Sequence, residues 1–147
     1  MRRLTQLLGL ILLLFSACKS GQITNQDDKE TAIVFELKKS GCYGTCPIFD
    51  IALYNDRIVK YHGKHFTENI GQFEWYISKE NYEEIQAIIG KTFNQSQSFN
   101  MNVQDLPTTK LYIYKEIKIE FKGSCPKEFK KELNLIEQKI LKNSVWK

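Results

Sequence analysis

No apolar run in this 147-residue chain is long enough to cross a bilayer, and residues 7–15 reach only about half of the ~20 a spanning helix needs. Charge of one sign is also scarce. The net charge is +4, and setting aside Arg2 and Arg3 lowers the basic count from 21 to 19 against 17 acids. Nucleic-acid binding wants a concentrated basic face, which a balance of +2 does not supply, so no nucleic-acid partner is expected. G-x-S-x-G elbows, H-E-x-x-H helices and glycine-rich phosphate loops are missing. With two histidines as the only imidazoles, few groups are left to act as a general base. We expect no enzyme activity and no cofactor. No internal repeat is present. Hydrophobic residues at 42% and charged residues at 26% exclude wholesale disorder. A chain of this size buries roughly two-thirds of its unfolded surface, so it needs neither a metal nor a dense disulfide framework to fold.

What the N-terminus does contain is an address. Arg2 and Arg3 precede the apolar stretch, and Ser16-Ala17-Cys18 follows it. A basic end, a short apolar core and small residues before a processing point form a secretory signal. Phe15-Ser16-Ala17-Cys18 resembles a bacterial lipobox, in which the cysteine is acylated (with palmitate, for example) and the preceding peptide removed. The resemblance implies a cleaved signal over residues 1–17, lipidation at Cys18, and membrane attachment by anchor rather than span. Residues 19–30 are polar and aperiodic, a tether reaching roughly 40 Å at ~3.3 Å per residue. Lys19 stands where aspartate would favour inner-membrane retention, which points to the outer membrane.

A single domain is expected over residues 31–147. Ile33, Phe35 and Leu37 alternate with Val34, Glu36 and Lys38, the period of a half-buried strand. Phe49, Ile51 and Leu53 repeat the pattern; Asn55-Asp56 makes a turn, and Val59 and Tyr61 begin the return strand. A fourth extended stretch covers residues 66–77, broken near Gly71. Ser78 is an N-cap for a helix whose apolar stripe is Tyr82, Ile85, Ile89 and Phe93. Residues 94–108 read as a long polar loop. Residues 110–114 and 117–121 form a hairpin with Lys115-Glu116 at its turn. Pro126 opens a final helix at its first position, with Phe129, Leu133, Ile136 and Ile140 along one face. The order ββββ-α-ββ-α indicates an α+β fold, an antiparallel sheet with helices packed on one face.

Cys42, Cys46 and Cys125 remain once Cys18 is acylated. In an oxidising compartment at least one disulfide is expected. Chain entropy gives about 2 kcal/mol for a Cys42–Cys46 bridge and about 4.6 kcal/mol for Cys42–Cys125. Stability favours the long bridge and local geometry the short one. An odd Cys125, just before a helix N-terminus, would be a reactive thiol with a pKa lowered by the dipole.

Gly41-Cys42-Tyr43-Gly44-Thr45-Cys46-Pro47-Ile48-Phe49, with Val59-Lys60-Tyr61-His62-Gly63, Ile77-Ser78-Lys79-Glu80 and Asp105-Leu106-Pro107-Thr108-Thr109, resembles the domain of unknown function 6438 family of bacterial envelope lipoproteins. That resemblance implies a small exported α+β domain and pairs Cys42 with Cys46. Arg57 departs from it, standing where the family tends to have glycine, and Cys125 lies outside its pattern. Two functions follow as expectations. The first is a non-enzymatic binding or structural module of the cell envelope with a protein, peptide or glycan ligand, for which Tyr112 and Tyr114, on one strand face with Tyr54, Tyr61, Phe73 and Trp75 on neighbouring strands, are the candidate stacking platform. The alternative is thiol redox chemistry through Cys42, Cys46 and Cys125, or copper or zinc handling by Cys42, Cys46, His62 and His65. Cys-x3-Cys-Pro is similar to the copper motif of the Sco chaperones, although a strand pattern rather than a helix follows Cys46 here.

Overall fold

Alternating apolar side chains build the sheet, and they do so with one consistent face. A computed structural model describes residues 30–100, 105–142 and 144; the leader, Cys18 and nearly all of the tether lie outside the described residues. The strands are β1 (Ile33–Lys39), β2 (Ile48–Tyr54), β3 (Ile58–His65) and β4 (Gly71–Tyr76), followed by helix α1 (Lys79–Thr92). Then come β5 (Gln97–Asn100), β6 (Thr108–Ile113), β7 (Ile117–Lys122) and helix α2 (Lys127–Leu141). They form one seven-stranded sheet in the order β4-β3-β2-β1-β6-β7-β5.

The α+β class and the element order agree with the alternation pattern, but the sheet is mixed. Gln97–Asn100, inside the stretch expected to be loop, pairs with β7 in parallel. Four residues of which only Phe99 is apolar carry too little alternation to be seen, and among the described residues β7 gives the segment its partner. Every other pair of strands is antiparallel.

Register lines the apolar residues up in rows. Phe35 pairs with Leu53 and Ile113, and Leu53 with Val59; Leu37 pairs with Ile51 and Leu111, and Ile51 with Tyr61. These side chains share one core with Ile85 and Ile89 of α1 and with Phe129, Leu133, Ile136 and Ile140 of α2. Both helices therefore cover the same face. The indole Nε1 of Trp75 donates to the Ile140 carbonyl at 3.2 Å and ties β4 to the end of α2. Ser78 caps α1, accepting from the Asn81 amide at 3.2 Å. Pro126 is the N-cap of α2, one place ahead of its expected position.

Both hairpin turns place their left-handed residues where the sequence gives little hint. At β2–β3 the Arg57 amide bonds the Tyr54 carbonyl and Arg57, not Asn55 or Asp56, takes positive φ at 72°. At β6–β7 the turn residues are Tyr114 and Lys115, with φ of 51° and 61°, rather than Lys115-Glu116. Two consecutive positive φ values define the turn that matches the natural twist of a hairpin.

Candidate functional site

Two segments of the motif, Gly41–Phe49 with its cysteines and Asp105–Thr109 far along the chain, meet at one end of the sheet. Ser40 clamps them: its amide donates to the Thr108 carbonyl at 2.9 Å, and its hydroxyl accepts from the Thr108 amide at 2.9 Å. The Tyr43 amide reaches the Asp105 carbonyl at 3.3 Å. Between β1 and β2 the chain is closed by a Cys42–Cys46 disulfide with Cα atoms 5.6 Å apart. Inside that ring Gly44, at φ 152°, donates to the Cys42 carbonyl, and Tyr43 stands 91% exposed at the tip.

Beneath the ring lies a cavity of about 190 Å³ between the sheet end and α2. Cys46 and Pro47 from one motif segment, Pro107 and Thr109 from the other, and Phe121 and Leu133 wall it. Gly123 also lines it; its φ is 76°, and a Cβ there would stand 2.3 Å from the Leu106 side chain, so only glycine fits. The polar content is a part-buried ion pair, Lys39 Nζ to Glu137 Oε2 at 2.8 Å. Lys39 also lies 5.0 Å from the Phe49 ring centroid. The second oxygen of Glu137 is buried without a hydrogen-bond partner. Lys130 and Asn134 also line it. Lys39 and Glu137 were not anticipated as site residues. The one available signal is a lysine at an inward position of β1, two residues after buried Leu37.

Cys125 lines the same cavity, which brings it near Cys46. Its thiol is free, and burial pushes its pKa up, with Lys130 pulling weakly the other way. The expectation of a depressed pKa is corrected: the cost of burying the thiolate dominates. The metal alternative is not assembled. Cys42 and Cys46 are joined to each other, while His62 and His65 stand exposed on β3. Among the described residues no group of three or more His, Cys, Asp or Glu side chains is placed to hold a metal ion.

The aromatic platform also comes apart. Tyr61 and Trp75 are buried and Phe73 packs against the core on the helix side. Tyr112 faces the other side, under Lys38 at 5.4 Å. Strand β6 ends at Ile113, and the left-handed turn swings Tyr114 toward α1, where its hydroxyl bonds the Gln86 side-chain oxygen. Tyr112 and Tyr114 therefore do not share a face.

The uncovered face of the sheet holds a shallow groove of about 430 Å³ lined by Glu36, Asp50, Lys60, His62, Gln72 and Glu74. Its charges satisfy one another: Lys38 with Glu36 along β1 at 2.9 Å, and across strands Lys64 with Asp50 at 2.6 Å and Lys60 with Glu74 at 3.7 Å. Farther along, hydrogen bonding from Lys118 holds the Glu120 carboxyl below the usual range. This self-neutralised mosaic reads as a solvated surface.

An open-faced α+β sheet, with a disulfide-closed loop set over a small apolar cavity, is the class of domain these observations define. The chain belongs to the family described as Domain of unknown function (DUF6438), which it matches over residues 33–142. No curated protein matches the chain.

Proposed function

We propose that this chain is a lipid-anchored, non-enzymatic binding module of the bacterial cell envelope, attached through Cys18 on the outer membrane, and that its ligand is an extended peptide. An apolar side chain of the peptide enters the cavity beneath the Cys42–Cys46 loop. One observation carries the reading: the two family-motif segments converge on that cavity and supply Cys46, Pro47, Pro107 and Thr109 to its wall. An apolar cavity near 150 Å³ accepts a benzene-sized guest, so about 190 Å³ suits one side chain. The Lys39–Glu137 pair and Asn134 offer donors and acceptors to the peptide backbone. Anchoring rests on Phe15-Ser16-Ala17-Cys18, and its check is a mass spectrum of the N-terminal peptide from membranes, expected to begin at an acylated Cys18.

The ligand reading is tested by titrating acetyl-leucine amide, acetyl-phenylalanine amide and acetyl-serine amide into labelled protein. The two apolar amides are expected to shift the Thr109, Phe121 and Leu133 amide signals, and the serine compound to leave them unmoved. Asn134→Trp, at the exposed rim, should block the effect. Silence from all three compounds would sink the proposal. Thiol chemistry is the second reading, favoured by the placement of Cys46 and Cys125 on one cavity. A peptide map showing a mixture of Cys42–Cys46 and Cys46–Cys125 bridges, or native mass showing retained copper or zinc, would put that reading first.

A further inference from the structure

We infer that strand β4 is a self-pairing edge, joining two copies of this chain into a two-fold dimer with one continuous sheet. The inference is independent of the cavity. Among the described residues β4 is the outermost strand on its side, pairing only with β3. The direction of its free main-chain groups follows from one hydrogen bond. The Ile77 amide donates to the Arg57 carbonyl at 3.1 Å, which marks Arg57/Ile77 as a hydrogen-bonded pair. Such pairs alternate along an antiparallel ladder. Val59/Trp75, Tyr61/Phe73 and Gly63/Gly71 therefore face each other, and Gln72, Glu74 and Tyr76 turn their N–H and C=O groups outward.

The edge lacks the usual protection: β4 contains no proline and no lysine, and Glu74 is its one charge. A large exposed apolar side chain flanks each end instead, Ile70 just before the strand at 66% and Tyr76 at its last position at 65% exposure. These lie symmetrically about Phe73. A two-fold axis perpendicular to the sheet at Phe73 sets Ile70 of each copy beside Tyr76 of the other, and Gln72 opposite Glu74. Gln72, Glu74 and Tyr76 share one face of β4, so the register gives Glu74 an amide donor and brings Tyr76 alongside the exposed Ile70 that precedes the strand of the other copy. It also uses the outward main-chain groups of Gln72 and Glu74, for about four new hydrogen bonds. Moving the axis to Glu74 would set the two carboxylates against each other, which disfavours that register. A strand edge of this length buries little area, so the dimer is expected to be weak, in the micromolar range.

Every buried core residue among those described lies between Val34 and Ile140, so a chain starting at Glu30 keeps that core and is suitable for the test. Sedimentation velocity from micromolar to near-millimolar protein should show the mass rising to twice that of the monomer. Gln72→Pro removes an N–H that the monomer does not use and should abolish the dimer while leaving the melting temperature close to the parent's. Tyr76→Lys, an exposed change, should weaken association about ten-fold or more if Gln72→Pro fails to fold. Gln72→Lys sets an ammonium against Glu74 of the second copy and should tighten the dimer several-fold. A monomer at every concentration overturns the inference. So does a dimer whose dissociation constant ignores both Gln72→Pro and Tyr76→Lys.

Discussion

Arg57 has a φ of 72° immediately after the Asn55–Asp56 turn, a region where a Cβ is costly and glycine is not. Arg57→Gly is expected to stabilise the domain by about 0.5–1 kcal/mol, the relieved strain exceeding the added freedom of the unfolded chain. Urea unfolding measures it, and a loss of stability would show that the arginine side chain contributes more than the backbone saves. Cys125 gives a second prediction at this scale. A thiol whose pKa is raised by burial keeps its proton in the folded state after the unfolded state has lost it. Stability should therefore fall as pH climbs from about 8 to 10. Melting temperatures across that range should slope downward more in the parent than in Cys125→Ser. The same residue should alkylate more slowly than an unfolded thiol at neutral pH. Cys125 was legible as the odd thiol, but its environment was not, because Phe121 and Leu133 reach it only in three dimensions.

The loop between β1 and β2 is the element on which the site depends. The disulfide closes a short ring, so its removal is expected to cost only about 2 kcal/mol. Cys42→Ser/Cys46→Ser should therefore remain folded, with its urea midpoint lowered. Loosened main-chain contacts at Tyr43 and Ser40 should show as faster amide exchange there. A domain that fails to fold would mean that the bridge specifies more than the loop. The motif and its pairing were readable from family resemblance. The residues beneath were not, since Lys39, Phe121 and Glu137 are distributed over 98 positions of chain between the ion-pair partners. β5 was missed for a related reason. Its four residues hold no pattern of their own, and it is a strand because β7 offers an edge.

Across the whole molecule, stability is set by position in the sheet. β1 sits between β2 and β6 and is covered by the helices, whereas β4 and β5 form the two edges. Native-state hydrogen exchange should find Phe35, Leu37, Ile51 and Leu111 opening only by global unfolding, and β4 amides exchanging through smaller local openings. Comparable protection in β4 at low protein concentration would contradict this order, whereas protection that grows with concentration would accompany the edge pairing.

Periodicity alone determined most of the architecture: alternation marked β1 to β3 and the later hairpin, and the 3.6-residue stripe marked both helices with their buried Ile85, Ile89, Phe129, Leu133, Ile136 and Ile140. Those signals are local, carried by residues two to four apart, so a linear reading captures them. Tertiary structure decided which face each aromatic occupies beyond a strand's end, as with Tyr114, whose turn conformation reverses the alternation. It also decided which distant side chains share the cavity and which edge stays open. These depend on strand order and register, and both are settled by packing between segments far apart in the chain.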